Sequence, residues 1–166
     1  AGSRLLIQSG IKDKFMKVLL AEFDKWTVGD PFSEDTKIGA LIDEKHMKRI
    51  LYYIEQGLKE GATLLTGGKQ LLKETGGYFI GPTIFDNVKN DMLIAREEIF
   101  GPVLSVITFD TMEEAIEIAN DTVYGLASSL HTNDLTIAHT MAREIRAGTV
   151  SVNCFSEGDQ SVPFGG

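Results

Sequence analysis

The sequence predicts an α/β fold organised on a parallel sheet. Three observations carry that reading. Over the final third, stretches with strand character alternate with stretches of helical period, the order that builds βαβ units. Val103 to Phe109 is a nearly continuous apolar run, as expected of a strand buried on both faces. The 166 residues are 43% hydrophobic and 24% charged, a globular composition with enough apolar mass for one compact domain.

The elements follow in chain order. Arg4-Leu5-Leu6-Ile7-Gln8 is a short β-prone run. Ser9 is a candidate cap for a helix reaching Trp26, with Ile11, Phe15, Val18, Leu19, Phe23 and Trp26 spaced for one face. Gly29-Asp30-Pro31 stops it, since proline cannot continue the ladder. A second helix starts near Asp43; Met47, Ile50, Leu51, Ile54 and Leu58 keep helical spacing, and Gly61 ends it. Ala62 to Leu65 reads as a strand, Gly67-Gly68 as a turn, and a polar loop follows. Tyr78-Phe79-Ile80 and Thr83-Ile84-Phe85 flank Gly81-Pro82, and Pro82 marks an edge or interrupted strand. After the apolar strand, Thr111 caps a helix whose first turn holds Glu113 and Glu114, where the helix dipole favours them. Tyr124 to Leu130 is a strand. Asn133 or Asp134 caps a helix carrying Leu135, Ala138, Ala142 and Ile145, closed by Gly148, and Thr149 to Asn153 is the last strand.

Charge and composition exclude several function classes. A net charge of −8 with no Lys/Arg cluster disfavours nucleic acid. No apolar run approaches the ~20 residues of a membrane helix, so no membrane association is expected. Ala1-Gly2-Ser3-Arg4 shows no signal-peptide pattern. The lone Cys154 forbids an internal disulfide and fits a reducing compartment, so a cytoplasmic location is expected. His46, His131, His139 and Cys154 lack metal-ligand spacing. The chain closes on Gly165-Gly166 directly after Pro163-Phe164, where a loop should continue.

Several motifs stand out. The most specific is Arg96-Glu97-Glu98-Ile99-Phe100-Gly101-Pro102-Val103. Tyr124-Gly125-Leu126 follows Ala119-Asn120. Gly148-Thr149-Val150 is followed by Val152-Asn153 and then Pro163-Phe164-Gly165-Gly166. With Gly81-Pro82-Thr83, their order and spacing resemble the aldehyde dehydrogenase superfamily over essentially the whole chain.

The resemblance implies that residues 1–166 are part of the parallel-sheet catalytic domain, truncated at both ends. By the match at Ala1-Gly2-Ser3-Arg4, the nucleophilic cysteine stands two residues before Ala1. The general-base glutamate and the dinucleotide-binding domain lie further upstream, and a closing segment with an oligomerisation strand lies downstream. The family reaction uses NAD or NADP: a thiolate attacks an aldehyde, hydride leaves to the nicotinamide, and activated water hydrolyses the thioester. The ribose must be held firmly, and a carboxylate suits this by accepting hydrogen bonds from both hydroxyls. The resemblance gives that role to Glu98, with Phe100 beside the nicotinamide end. The plainer reading of Glu98 is a solvated loop acid, and Glu97 reads as structural.

His46 falls where the family contacts the adenosine ribose, though a surface histidine on a polar helix face fits as well. Arg49, one turn onward, is open in the same way. Cys154 reads as an inert thiol near the substrate tunnel rather than a nucleophile. Phe155 and Phe164 are candidates to line that tunnel, with core packing the alternative for Phe164. Glu157 and Asp159 would place two carboxylates at its mouth, where an amine-bearing aldehyde is attracted; as solvated loop acids they would need no such role. The pattern Gly158-Asp159-Gln160-Ser161-Val162-Pro163-Phe164-Gly165-Gly166 resembles the branch that oxidises γ-glutamyl-γ-aminobutyraldehyde and related aminoaldehydes in putrescine breakdown. Other readings of the whole are a non-catalytic interaction module on the same fold, and an acylating or semialdehyde dehydrogenase. The acidic loop counts against a carboxylate-bearing substrate. The intact protein is expected to be a homo-oligomer, and this segment alone is expected to be inactive.

Overall fold

The computed structural model describes residues 2–155 and 161–166. The chain divides into two compact units, Ala1–Thr108 and Phe109–Gly166, each described by itself.

The first unit contains strands β1 (Arg4–Gln8), β2 (Thr63–Thr66), β3 (Gln70–Leu71), β4 (Phe79–Ile80), β5 (Thr83–Asp86) and β6 (Val103–Phe109), and helices α1 (Lys12–Phe23), α2 (Glu44–Lys59) and α3 (Leu93–Arg96). The main sheet has the order β1-β6-β5-β2. β5 and β6 run parallel, with Thr83 opposite Val103 and Phe85 opposite Ser105. β2 joins antiparallel to β5, with a register irregularity between Leu64 and Thr66. β3 and β4 form a separate antiparallel pair.

Alternation along the strands explains why β6 is apolar on both faces. On one face Ile84, Val106 and Ile7 pack with Met16, and Leu104, Leu19, Leu20 and Phe23 close around them, so this face carries α1. The register puts Phe85 and Ser105 on the opposite face. There Gly57 of α2 lies so near that an added Cβ would come 2.9 Å from Ile94 and 3.4 Å from Phe85. Two helical layers therefore sandwich the sheet.

The helix α1 corrects the sequence reading. It starts at Lys12, after a 3₁₀ turn over Ser9–Ile11, and neither start carries a side-chain cap. It ends at Phe23, before the Gly29-Asp30-Pro31 stop. Its buried residue is Met16, whereas Ile11, Phe15 and Val18 are exposed. Apolar residues occupy two adjacent stripes, and the stripe Met16, Leu19, Leu20, Phe23 meets the sheet. Trp26 lies beyond the helix, stacked on Phe23 with ring centroids 5.3 Å apart and planes at 7°.

The second helix matches its sequence signals closely. The Asp43 carboxylate accepts from the His46 backbone N–H at 2.7 Å, and Gly61 follows the last turn at φ +93°. Met47, Ile50 and Ile54 are buried, while Leu58 is 48% exposed.

Pro82 does interrupt a strand, but β5 lies inside the sheet rather than at its edge. Pro82 precedes the first paired residue, so no ladder donor is lost. Thr83 is fully buried and serves as a clasp. Its hydroxyl donates to the Gly81 carbonyl at 2.9 Å and accepts from the Gly68 N–H at 2.9 Å. Thr83→Val keeps the shape and removes both bonds. It is expected to destabilise the fold by about 1–3 kcal/mol, measured by urea unfolding, because two backbone groups lose their partner.

The second unit holds α4 (Met112–Asn120), β7 (Ala127–Leu130), α5 (Leu135–Glu144) and β8 (Thr149–Val152). Thr111 caps α4 by accepting from Glu114 N–H, and Glu114 in return accepts from Asp110 N–H at 2.8 Å. Asp134, not Asn133, caps α5, accepting from Ile137 N–H at 3.0 Å. Leu135 is 72% exposed, so the buried side of α5 is Ala138 with Ile145 just beyond its end. β7 and β8 pair in parallel across α5, a βαβ unit. The strand expected from Tyr124 begins at Ala127. Instead, the Gly125 carbonyl accepts from Gly148 N–H at 2.8 Å. Gly165-Gly166 runs against this turn so tightly that a Cβ on Gly148 would overlap the Gly165 backbone. The three glycine-bearing motifs of this region meet backbone to backbone.

Candidate functional site

The stretch from α3 to β6 forms one wall of a cleft of about 350 Å³. Its lining includes Glu98, Ile99, Phe100 and Gly101, together with Gly2 and Ser3 from the start of the chain. Main-chain pairing brings these segments together, since Ser105 N–H donates to the Ser3 carbonyl at 2.9 Å.

Contacts from α2, its C-terminal end and β6 help to fix the Glu98 loop. At the start of α3, the Glu60 carboxylate accepts from Leu93 N–H at 2.8 Å, satisfying a donor the short helix leaves open. At its end, the hydroxyl of the buried Ser105 donates to the Ile94 carbonyl at 3.0 Å. Arg49 Nη2 of α2 donates to the backbone carbonyl of Glu98 at 3.1 Å, and its guanidinium lies 5.5 Å from the Tyr53 ring centroid. Gly101 lies against the side chain of fully buried Ile50, where an added Cβ would come within 2.7 Å.

Between these anchors Phe100 adopts φ +56° and is 67% exposed. A phenylalanine in the left-handed region is strained, and an exposed one gains little from burial. Glu98 is half-buried, while Glu97 is exposed. Glu98 and Phe100 therefore both line one cleft. A carboxylate beside an aromatic ring is chemistry that suits a vicinal diol attached to a flat heteroaromatic ring: a carboxylate accepts from hydroxyls and an aromatic ring offers a stacking face.

The other sequence candidates are distributed as follows. His46 is half-buried in the first turn of α2, one turn before Arg49, and does not line the cleft. In the second unit, Phe155 and Phe164 are 65% and 79% exposed. Glu157 and Asp159 lie outside the described residues. Cys154 is half-buried after β8, and its carbonyl accepts from the Ser129 hydroxyl. His131 and His139 are exposed, and among the described residues no His/Cys/Asp/Glu group is arranged to hold a metal. No helix among the described residues is long and apolar enough to cross a membrane.

The family model "Aldehyde dehydrogenase family" matches residues 1–166. The chain belongs to the aldehyde dehydrogenase family. It is 49% identical to "Aldehyde dehydrogenase 1" of Tanacetum cinerariifolium, covering 100% of this chain and 33% of that protein. The P. syringae AldA indole-3-acetaldehyde dehydrogenase, solved in complex with NAD+ and IAA, superposes with a TM-score of 0.97 at 54% identity, over 99% of this chain and 33% of that one. The γ-glutamyl-γ-aminobutyraldehyde dehydrogenase of Burkholderia cenocepacia J2315 gives 0.95 at 51%, over the same shares. The chain thus spans about a third of the length of these relatives.

For this aldehyde dehydrogenase segment, sequence reasoning missed Arg49's grip on Glu98 and the part played by Ser105. The Arg49 contact joins residues 49 positions apart, and one sequence gives no sign of it. Ser105 did leave a signal. A single hydroxyl inside the run Val103-Leu104-Ser105-Val106-Ile107 must find a partner once buried.

Proposed function

We propose that this segment serves in the NAD(P)-dependent oxidation of an aldehyde to a carboxylic acid, as the part of the catalytic domain that holds the nicotinamide ribose. The observation that carries it is the shared cleft: Glu98 and Phe100 line the same space as Gly2 and Ser3, the residues that follow the expected position of the thiol. Glu98 would accept hydrogen bonds from the ribose hydroxyls and Phe100 would bound the nicotinamide side, with His46 the candidate for the adenosine ribose. When bound, the dinucleotide takes up the hydride. What the chain's own residues contribute is orientation, the term that turns proximity into rate. The thiol, the general base and the dinucleotide-binding domain come from other parts of a longer polypeptide, working as a homo-oligomer in the cytoplasm. The full-length polypeptide should reduce NAD or NADP only when an aldehyde is present. The 166-residue chain alone should not; steady cofactor reduction by it would overturn this division of labour.

The substrate reading is an aminoaldehyde of the kind formed in putrescine breakdown. Overall identity does not select it, since the indole-3-acetaldehyde and γ-glutamyl-γ-aminobutyraldehyde enzymes are similar to this chain at 54% and 51%. Its support is the acidic pair Glu157 and Asp159, with Phe155 and Phe164 as the apolar partners for the aldehyde chain. In the full-length enzyme, Asp159→Asn should raise KM for amino-aldehydes several-fold, on the order of the ~1 kcal/mol expected of one screened charge pair. KM for neutral aldehydes should hardly move. An equal change for both classes would remove the electrostatic argument.

A further inference from the structure

We infer that Arg49 is a positioning residue for the Glu98 carboxylate, and that α2, rather than the loop itself, sets the geometry of the cofactor-facing wall. The inference rests on the reading of Glu98 as the ribose-holding group. Arg49 and Ile50 are consecutive residues of α2, and they fasten opposite ends of the four residues Glu98–Gly101. Arg49 donates to the Glu98 carbonyl at 3.1 Å, and the Ile50 side chain fills the space that a Cβ on Gly101 would take. The strained Phe100 lies between these two points, at φ +56°. A loop pinned at both ends by one rigid helix has few ways to relax, which is what holding an unfavourable backbone conformation requires.

The guanidinium is itself oriented. It lies over the Tyr53 ring one helical turn onward, which limits the rotamers from which Nη2 reaches the carbonyl. The bond is to main chain, so Arg49 acts whatever side chain stands at position 98, and its effect on the cofactor passes through where the carboxylate points. Arg49 is also exposed, so removing it leaves no cavity, and the Glu98 carbonyl that loses its donor belongs to a residue that is only half-buried.

The test is a double-mutant cycle in the full-length enzyme, read by single-turnover cofactor reduction and by KM for the dinucleotide. Arg49→Ala should lower the hydride-transfer rate about 5- to 20-fold and raise cofactor KM, as loss of a charge-assisted hydrogen bond does. KM for the aldehyde and the melting temperature should stay as they are. Arg49→Lys, which keeps one donor within reach of the carbonyl, should recover most of the rate. In a Glu98→Gln background, Arg49→Ala should cost less than about 2-fold, because both changes interrupt one chain of contacts. Multiplying effects of the two substitutions would show that Arg49 acts independently of Glu98 and would overturn the inference. So would a normal rate in Arg49→Ala beside a slow Glu98→Gln. A normal rate in Glu98→Gln alone would instead remove the functional reading on which the inference stands.

Discussion

Glu98→Gln in the full-length enzyme is expected to slow single-turnover cofactor reduction about 10- to 100-fold, the worth of a charge-assisted hydrogen bond present as hydride moves. The amide keeps the size of the side chain and one acceptor oxygen, but it loses the charge and replaces the second oxygen with an NH2 donor, so it cannot offer one oxygen to each ribose hydroxyl as a carboxylate does. The surrounding loop should not change. The main-chain bonds of Leu93, Ile94 and Glu98 and the packing of Gly101 on Ile50 do not use the Glu98 carboxylate and persist in the variant. The effect should therefore appear in the rate and not in the thermal midpoint. Unchanged cofactor reduction in this variant would remove Glu98 from the chemistry and leave it a solvated loop acid.

Gly67→Ala should be the most damaging single substitution for stability in the first unit, costing roughly 3 kcal/mol or more. Gly67 has φ +77°, a conformation that costs an alanine about 1 kcal/mol. The larger part is steric. An added Cβ would come 2.2 Å from the Pro82 carbonyl oxygen and 2.6 Å from the Thr83 hydroxyl. Neither neighbour can yield cheaply, since one is backbone and the other is the buried clasp that holds the Gly68 N–H. Gly61→Ala is the matched control. It also has positive φ, at +93°, but an added Cβ meets nothing within 4 Å. Urea midpoints of the two variants separate the cost of conformation from the cost of collision. If they fall by equal amounts, the collision argument is wrong.

Most of the architecture was legible in the sequence, because local signals and tertiary demands agreed. Thr111 and the Asp43 and Asp134 caps, the apolar run of β6 and the βαβ order of the last elements all stand where residue chemistry puts them. Failure came where two local answers were equally good. In α1 the stripes Ile11-Phe15-Val18 and Met16-Leu19-Leu20-Phe23 are both apolar, so periodicity could not choose; the shape of the sheet face chose the second. Between Asn133 and Asp134 a single sequence offers no preference either, and the Ile137 N–H decides. Short elements were missed for another reason. The four residues of α3 are too few for a period, and the helix exists because Glu60 and Ser105 satisfy its two ends.

Two residues of the candidate cleft were named from the sequence, and how the cleft is built was not legible there. The motif around Glu98 pointed to a cofactor-facing carboxylate, and the structure puts Glu98 and Phe100 in one cleft with Gly2 and Ser3. The strain at Phe100, by contrast, leaves no compositional trace. A left-handed phenylalanine is an improbable local choice, and only the fixed neighbours on either side impose it.

The stacking of Trp26 on Phe23 also makes the molecule its own optical probe. This is the sole tryptophan of the sequence, and it belongs to the first of the two units. Emission excited near the red edge of indole absorption therefore reports on one half of the chain and is silent about the other. Far-ultraviolet circular dichroism sums over both. If the two signals follow a single curve during heating, the halves melt as one body; if they part, the emission trace says which half goes first.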